Sequence, residues 1–137
     1  MLTVKNYRLI LAAWIVTSLL GILIGLFTEP LLPPELLAYQ KASSEKDMPL
    51  IPLLFLSSYT LISLIALIIA TFGLFRFRSY ARTLFLILTF CILPIYFFMG
   101  PWIETGYESP FYELSSVLTG LILGIIYFSP LRDKFRK

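Results

Sequence analysis

Histidine is absent from the 137-residue chain, and cysteine occurs once, as Cys91. Without a second thiol no intrachain disulfide can form, and a C-x-x-C redox pair is excluded. Without imidazole there is no bis-histidine haem, no histidine-containing zinc site and no histidine base. Charge is scarce too: Asp, Glu, Lys and Arg make up 14% of the residues, against roughly 25% in soluble domains. Internal repeats, linkers and low-complexity segments are missing, so the sequence reads as one domain, 1–137. No cofactor or metal is expected. A catalytic role is not expected either, because serines such as Ser57 and Ser116 have no base to activate them.

What fills the chain instead is hydrocarbon. Apolar residues reach 58% and aromatics 16%. A chain of this length cannot hide that much Leu, Ile and Phe from water in one core. Four apolar runs stand out, at 9–27, 50–75, 80–99 and 111–128. Each has the ~20 residues that a helix needs to cross the hydrocarbon of a bilayer. The only charged residues within them are Arg82 and Glu113, each in the first turn of its run. Period-2 alternation is lacking, which argues against a barrel. The expected fold is therefore all-α, an integral membrane four-helix bundle.

Prolines punctuate the runs. Pro49 and Pro52 open the second, Pro110 opens the fourth with Ser109 as its expected N-cap, and Pro130 closes the fourth. Pro94 falls inside the third and should kink it. The first run, with Lys5 and Arg8 before it, is longer than a signal-peptide core and lacks a small-x-small site, so it is expected to remain as a span.

Basic residues set the orientation. Lys5, Arg8, Arg76, Arg78, Arg82, Arg132, Lys134, Arg136 and Lys137 fall on one side of a four-span layout, and only Lys41 and Lys46 on the other. Seven of the eight acids fall with the two lysines; Asp133 alone joins the basic side. Lys and Arg resist translocation, so both termini and the Arg-rich stretch GLFRFRSYAR, 73–82, should face the cytoplasm. Arg76, Arg78, Arg82, Arg132, Lys134, Arg136 and Lys137 are the topology anchors. No basic stripe on a polar helix suggests nucleic acid; the expected partners are membrane lipids, anionic headgroups in particular. In the first outer loop, Pro33-Pro34-Glu35 predicts a short surface helix with Leu36, Leu37 and Tyr39 at the interface. Trp102, Tyr107 and Tyr112 should form the outer aromatic belt.

Two sets of residues are candidates for function. Ala13, Thr17, Gly21 and Gly25 in the first run, and Ser116, Gly120 and Gly124 in the fourth, recur every four residues. Small residues at this spacing let helices approach closely, within one chain, in a homodimer or against a membrane-protein partner. Glu104, Glu108 and Glu113, set among aromatics, could attract a cation at the outer face. Cys91 is expected to be a small buried side chain.

GLFRFRSYAR between two runs, followed by the ending GIIYFSPLRDKFRK, resembles small four-span inner-membrane proteins of bacteria, which implies the bacterial inner membrane as location. Small multidrug transporters carry a glutamate midway along their first helix, and this chain has none there. Quinone-linked disulfide-forming enzymes need paired cysteines, also lacking. Two functions stay open: a non-catalytic accessory or interaction protein of the membrane, and a small transporter or channel for a cation or lipophilic cation.

Overall fold

A computed structural model describes residues 3–44, 50–93 and 103–136, and no strand occurs among them. The elements run α1 (Val4–Thr28), a 3₁₀ turn at Glu29–Leu31, α2 (Pro34–Ser44), α3 (Leu50–Phe75), α4 (Ser79–Cys91), α5 (Ser109–Phe128) and a 3₁₀ segment at Pro130–Arg136. Among the described residues, three helices are long and apolar enough to cross a membrane: Val4–Thr28, Leu54–Phe75 and Ser109–Phe128. The described part of the third expected run is the shorter apolar helix α4; its continuation, with Pro94, lies outside the described residues.

Local chemistry explains the helix ends. Thr3 caps α1, its hydroxyl accepting the Asn6 N–H at 3.2 Å. The Pro33 carbonyl accepts the Leu36 and Leu37 N–H groups at 2.9 and 3.1 Å and so starts α2. Pro110 sits in the first turn of α5, where its missing N–H costs nothing. The N-cap there is Glu108 rather than the expected Ser109. At the far end the Ser129 hydroxyl bonds the Ile125 carbonyl at 2.7 Å and accepts the Leu131 N–H at 3.1 Å. Helix hydrogen bonding cannot continue through Pro130.

The chain groups into two compact units. One comprises Met1–Tyr39 and Ile103–Asp133, where α1 packs against α5. The other comprises Gln40–Trp102 and Lys134–Lys137, where α3 packs against α4.

In the second unit a tight turn joins α3 to α4. The Arg78 N–H reaches the Gly73 carbonyl at 2.9 Å, and the Phe77 N–H reaches Leu74 at 3.2 Å. This is a Schellman cap, whose αL position normally takes glycine. Here it is Phe77, at φ 56°. A side chain in that region costs roughly 1–2 kcal/mol. The compensation is a ring contact: Phe77 lies 5.0 Å from Phe135, tilted by 57°, and Phe135 is fully buried. Burying a Phe contributes about 1.5–3 kcal/mol, enough to hold the strained residue in place. Further along the hairpin, the Tyr59 hydroxyl donates to the Cys91 carbonyl at 2.6 Å, at the last residue of α4. Cys91 itself is exposed rather than buried, since α4 turns its buried face, Ala81 and Phe85, elsewhere.

Candidate functional site

The α1–α5 contact has a strict register. Trp14 donates its indole N–H to Thr119 at 2.9 Å, Ser18 meets Ser115 at 2.7 Å, and Thr28 meets Thr105 at 2.8 Å. Between these, Gly21 faces Tyr112 and Gly25 faces Glu108. The seam on α1 is thus 14, 18, 21, 25, 28, matched in reverse by 119, 115, 112, 108, 105. Steps of four and three residues are the heptad spacing of a left-handed coiled seam, and the reversed order makes the helices antiparallel. Continuing the spacing reaches Leu11 with Ile122 and Tyr7 with Ile126, all fully buried.

Polar groups along the seam are satisfied in a closed circuit. The Thr119 hydroxyl, having accepted from Trp14, donates to the Ser115 carbonyl at 2.9 Å. The Ser18 hydroxyl donates to the Trp14 carbonyl at 2.8 Å. Its one hydrogen is then used, so Ser115 is the donor between the two serines. The circuit begins and ends on Trp14. Hydrogen bonds between membrane helices average about 0.6 kcal/mol and reach about 1.7, so they fix register more than they hold the pair together.

At one end of this seam lies the candidate site. Glu108 is 6% exposed. Its Oε1 accepts the Thr105 N–H at 2.7 Å, the carboxylate half of a T-x-x-E capping box that sits on the turn leading into α5, where the Thr105 carbonyl accepts the Glu108 and Ser109 N–H groups. The Thr105 hydroxyl does not complete the box. Thr28 donates to the Ile24 carbonyl at 2.8 Å, so Thr105 must be the donor to Thr28 across the helix pair. Oε2 of Glu108 packs onto Gly25, filling the space where a Cβ would stand; that position is 3.8 Å from the Tyr112 hydroxyl. A carboxylate and a phenol therefore converge on one glycine, with the Thr28–Thr105 hydroxyl pair one step further along the seam. The start of α5 favours the negative charge through the helix dipole. Oxygen ligands of this kind suit a proton or a hard cation.

The other candidate residues are placed as follows. Gly21 and Gly25 lie on the seam; a Cβ at Gly21 would stand 3.0 Å from the Tyr112 ring. Thr17 bonds back to the Ala13 and Trp14 carbonyls at 2.9 and 3.0 Å, and Ala13 is exposed. Ser116 is exposed, and a Cβ at Gly120 or Gly124 would meet nothing within 4 Å among the described residues. Glu104 and Glu113 are exposed, so of the three acids only Glu108 enters the contact. Arg76, Arg78, Arg132 and Lys134 are exposed and Arg82 is half-buried. Arg132 reaches Asp133 at 3.8 Å, Arg136 ends the 3₁₀ segment, and Lys137 lies outside the described residues, as does Trp102. Tyr107 is 67% exposed. Among the described residues, no three Asp, Glu or Cys side chains gather as a metal site requires.

Reading the small residues at intervals of four found Gly21 and Gly25 but not the alternation of four and three that also takes in Trp14. Thr105-Gly106-Tyr107-Glu108 carried the capping-box signature in plain view. No protein-family model, curated protein or solved structure matches the chain.

Proposed function

We propose that the chain is a four-span protein of the bacterial inner membrane, with both termini in the cytoplasm. In this reading it acts without chemistry of its own, as an accessory or interaction partner of other membrane components. The antiparallel register of α1 and α5 supports the four crossings. If α5 starts at the membrane face where α1 ends, the chain between them must cross an even number of times. α3 is long enough to cross once, and the remaining apolar run, 80–99, makes the return. The excess of Lys and Arg at the termini and at 76–82 puts that side in the cytoplasm.

Cysteine labelling tests the orientation. On a Cys91→Ala background, Ala42→Cys and Tyr107→Cys, both at exposed positions, should react with an impermeant maleimide on intact cells. Ser79→Cys should react only after lysis. Labelling of Ser79→Cys from outside reverses the topology. Thr105 is a poor reporter because it is 7% exposed.

The interaction role is supported chiefly by α3, only 6% of whose apolar window is buried within the chain. Among the described residues, that leaves much of the helix surface outside its contact with α4 for lipid or another helix. Purification in mild detergent should yield a stoichiometric protein partner or a dimer, and a monomer carrying lipid alone would count against the role. The second reading, transport of a cation or lipophilic cation, is favoured by the burial of Glu108. In proteoliposomes it requires a cation flux that Glu108→Gln lowers at least tenfold and Glu113→Gln leaves unchanged. Flux no greater than that of empty vesicles removes it.

A further inference from the structure

We infer that the Phe77–Phe135 contact builds a composite binding surface for the headgroup of an anionic phospholipid. Phe77 is flanked by Arg76 and Arg78, and Phe135 by Lys134 and Arg136. Each flank is one residue, about 3.8 Å of chain, from a ring in the contact. Two basic segments far apart in sequence are thereby fastened into one patch, with Arg76, Arg78 and Lys134 exposed on it.

Three observations choose the ligand. The patch sits where α3, a helix long enough to span, ends at Phe75, so it lies at headgroup depth. No acid occurs between Leu50 and Leu93 or after Asp133, and Asp133 itself is engaged by Arg132 at 3.8 Å. The chain also accepts a strained αL phenylalanine at the turn, where glycine would serve the Schellman cap without strain. A glycine there would leave Phe135 without its ring partner and the tail unfastened. The clasp thus does something that the count of positive charges alone does not: it concentrates them.

The inference rests on the membrane reading above, and its test can fail separately. The full-length chain, purified in detergent, is offered phosphatidylglycerol, phosphatidylcholine or inorganic phosphate, and bound ligand is read by native mass spectrometry. Phosphatidylglycerol should be retained in preference to phosphatidylcholine, with inorganic phosphate retained weakly. Arg78→Gln and Lys134→Gln should each weaken retention about fivefold, the equivalent of about 1 kcal/mol per cation. Phe135→Ala, which keeps every charge, should weaken it as much or more; Phe135→Leu, which keeps apolar bulk, guards against loss of fold. Equal retention of the two lipids overturns the inference. So does full selectivity in Phe135→Ala, because charge count alone would then suffice. Retention of inorganic phosphate as strongly as lipid makes the patch a simple anion site and also overturns it. A chain that is soluble and folded without surfactant would instead overturn the membrane reading.

Discussion

Gly25→Leu should drive α1 and α5 apart at the Glu108 end of their seam. Even a methyl group at Gly25 overlaps Oε2 of Glu108, and an isobutyl group also meets the Tyr112 hydroxyl. Glu108 can swing away only by giving up the bond from the Thr105 N–H to Oε1, 2.7 Å long. Overpacking of this kind costs roughly 1–3 kcal/mol, and losing the Glu108 bond adds about 1 kcal/mol more. The pair Ser18→Cys and Ser115→Cys, whose native oxygens are 2.7 Å apart, offers a direct readout. Its oxidative cross-linking should fall several-fold in the Gly25→Leu background. Glu108→Ala should restore much of it, since the two changes share one space and their effects will not add. Undiminished cross-linking, or a double variant no better than the single, would show that the close approach at Gly25 is unimportant.

The second large effect concerns sign. Alanine is favoured over glycine within a helix by about 0.8–1 kcal/mol, so Gly→Ala changes at open helical positions such as Gly120 and Gly124 should stabilise. Gly73→Ala should do the opposite. Its new Cβ would lie 2.5 Å from the Ala81 Cβ and 3.1 Å from the Tyr80 ring, closer than carbon atoms pack. Either α4 moves away from α3 or the Schellman turn opens, and its 2.9 Å bond from Arg78 to Gly73 goes with it. A net loss of about 1–2 kcal/mol is expected once propensity is set against overpacking. Gly120→Ala, which meets nothing within 4 Å among the described residues, is the contrast and should be neutral or stabilising. Thermal unfolding in detergent would compare them. If Gly73→Ala melts higher than the parent, the hairpin is not held by that contact.

These cases show how far the sequence could be read. The apolar runs marked α3 and α5 to within two residues of their ends, because length and absence of charge are one-dimensional properties, whereas α1 starts at Val4, ahead of its run, and takes in Lys5 and Arg8. The turn at 76–78 was equally visible as a break in hydrophobicity. Its αL phenylalanine was not, since nothing in F-R-F-R says which residue turns left-handed when glycine is missing. The seam was half legible. Gly21 and Gly25 are small residues on it, but so little of α1 is polar that many stripes look alike. The true one is selected by hydroxyl pairs, Ser18 with Ser115 and Thr28 with Thr105, that involve two distant segments at once. Burial of Glu108 likewise depends on Gly25, far earlier in the chain, and could not be read from the acidic loop alone.

The hydroxyls of α3 carry a last consequence. Ser58 bonds the Phe55 carbonyl at 3.0 Å, Thr60 bonds Leu56 at 2.8 Å and Thr71 bonds Leu67 at 2.8 Å. Each turns its hydrogen inward to its own backbone, as such side chains do in oily surroundings. The outer contour that remains is methyl, methylene and aromatic edge, almost chemically mute. A neighbouring helix docking there would be sorted by contour and not by charge, so discrimination between rival neighbours should hinge on bumps and hollows one methyl group deep.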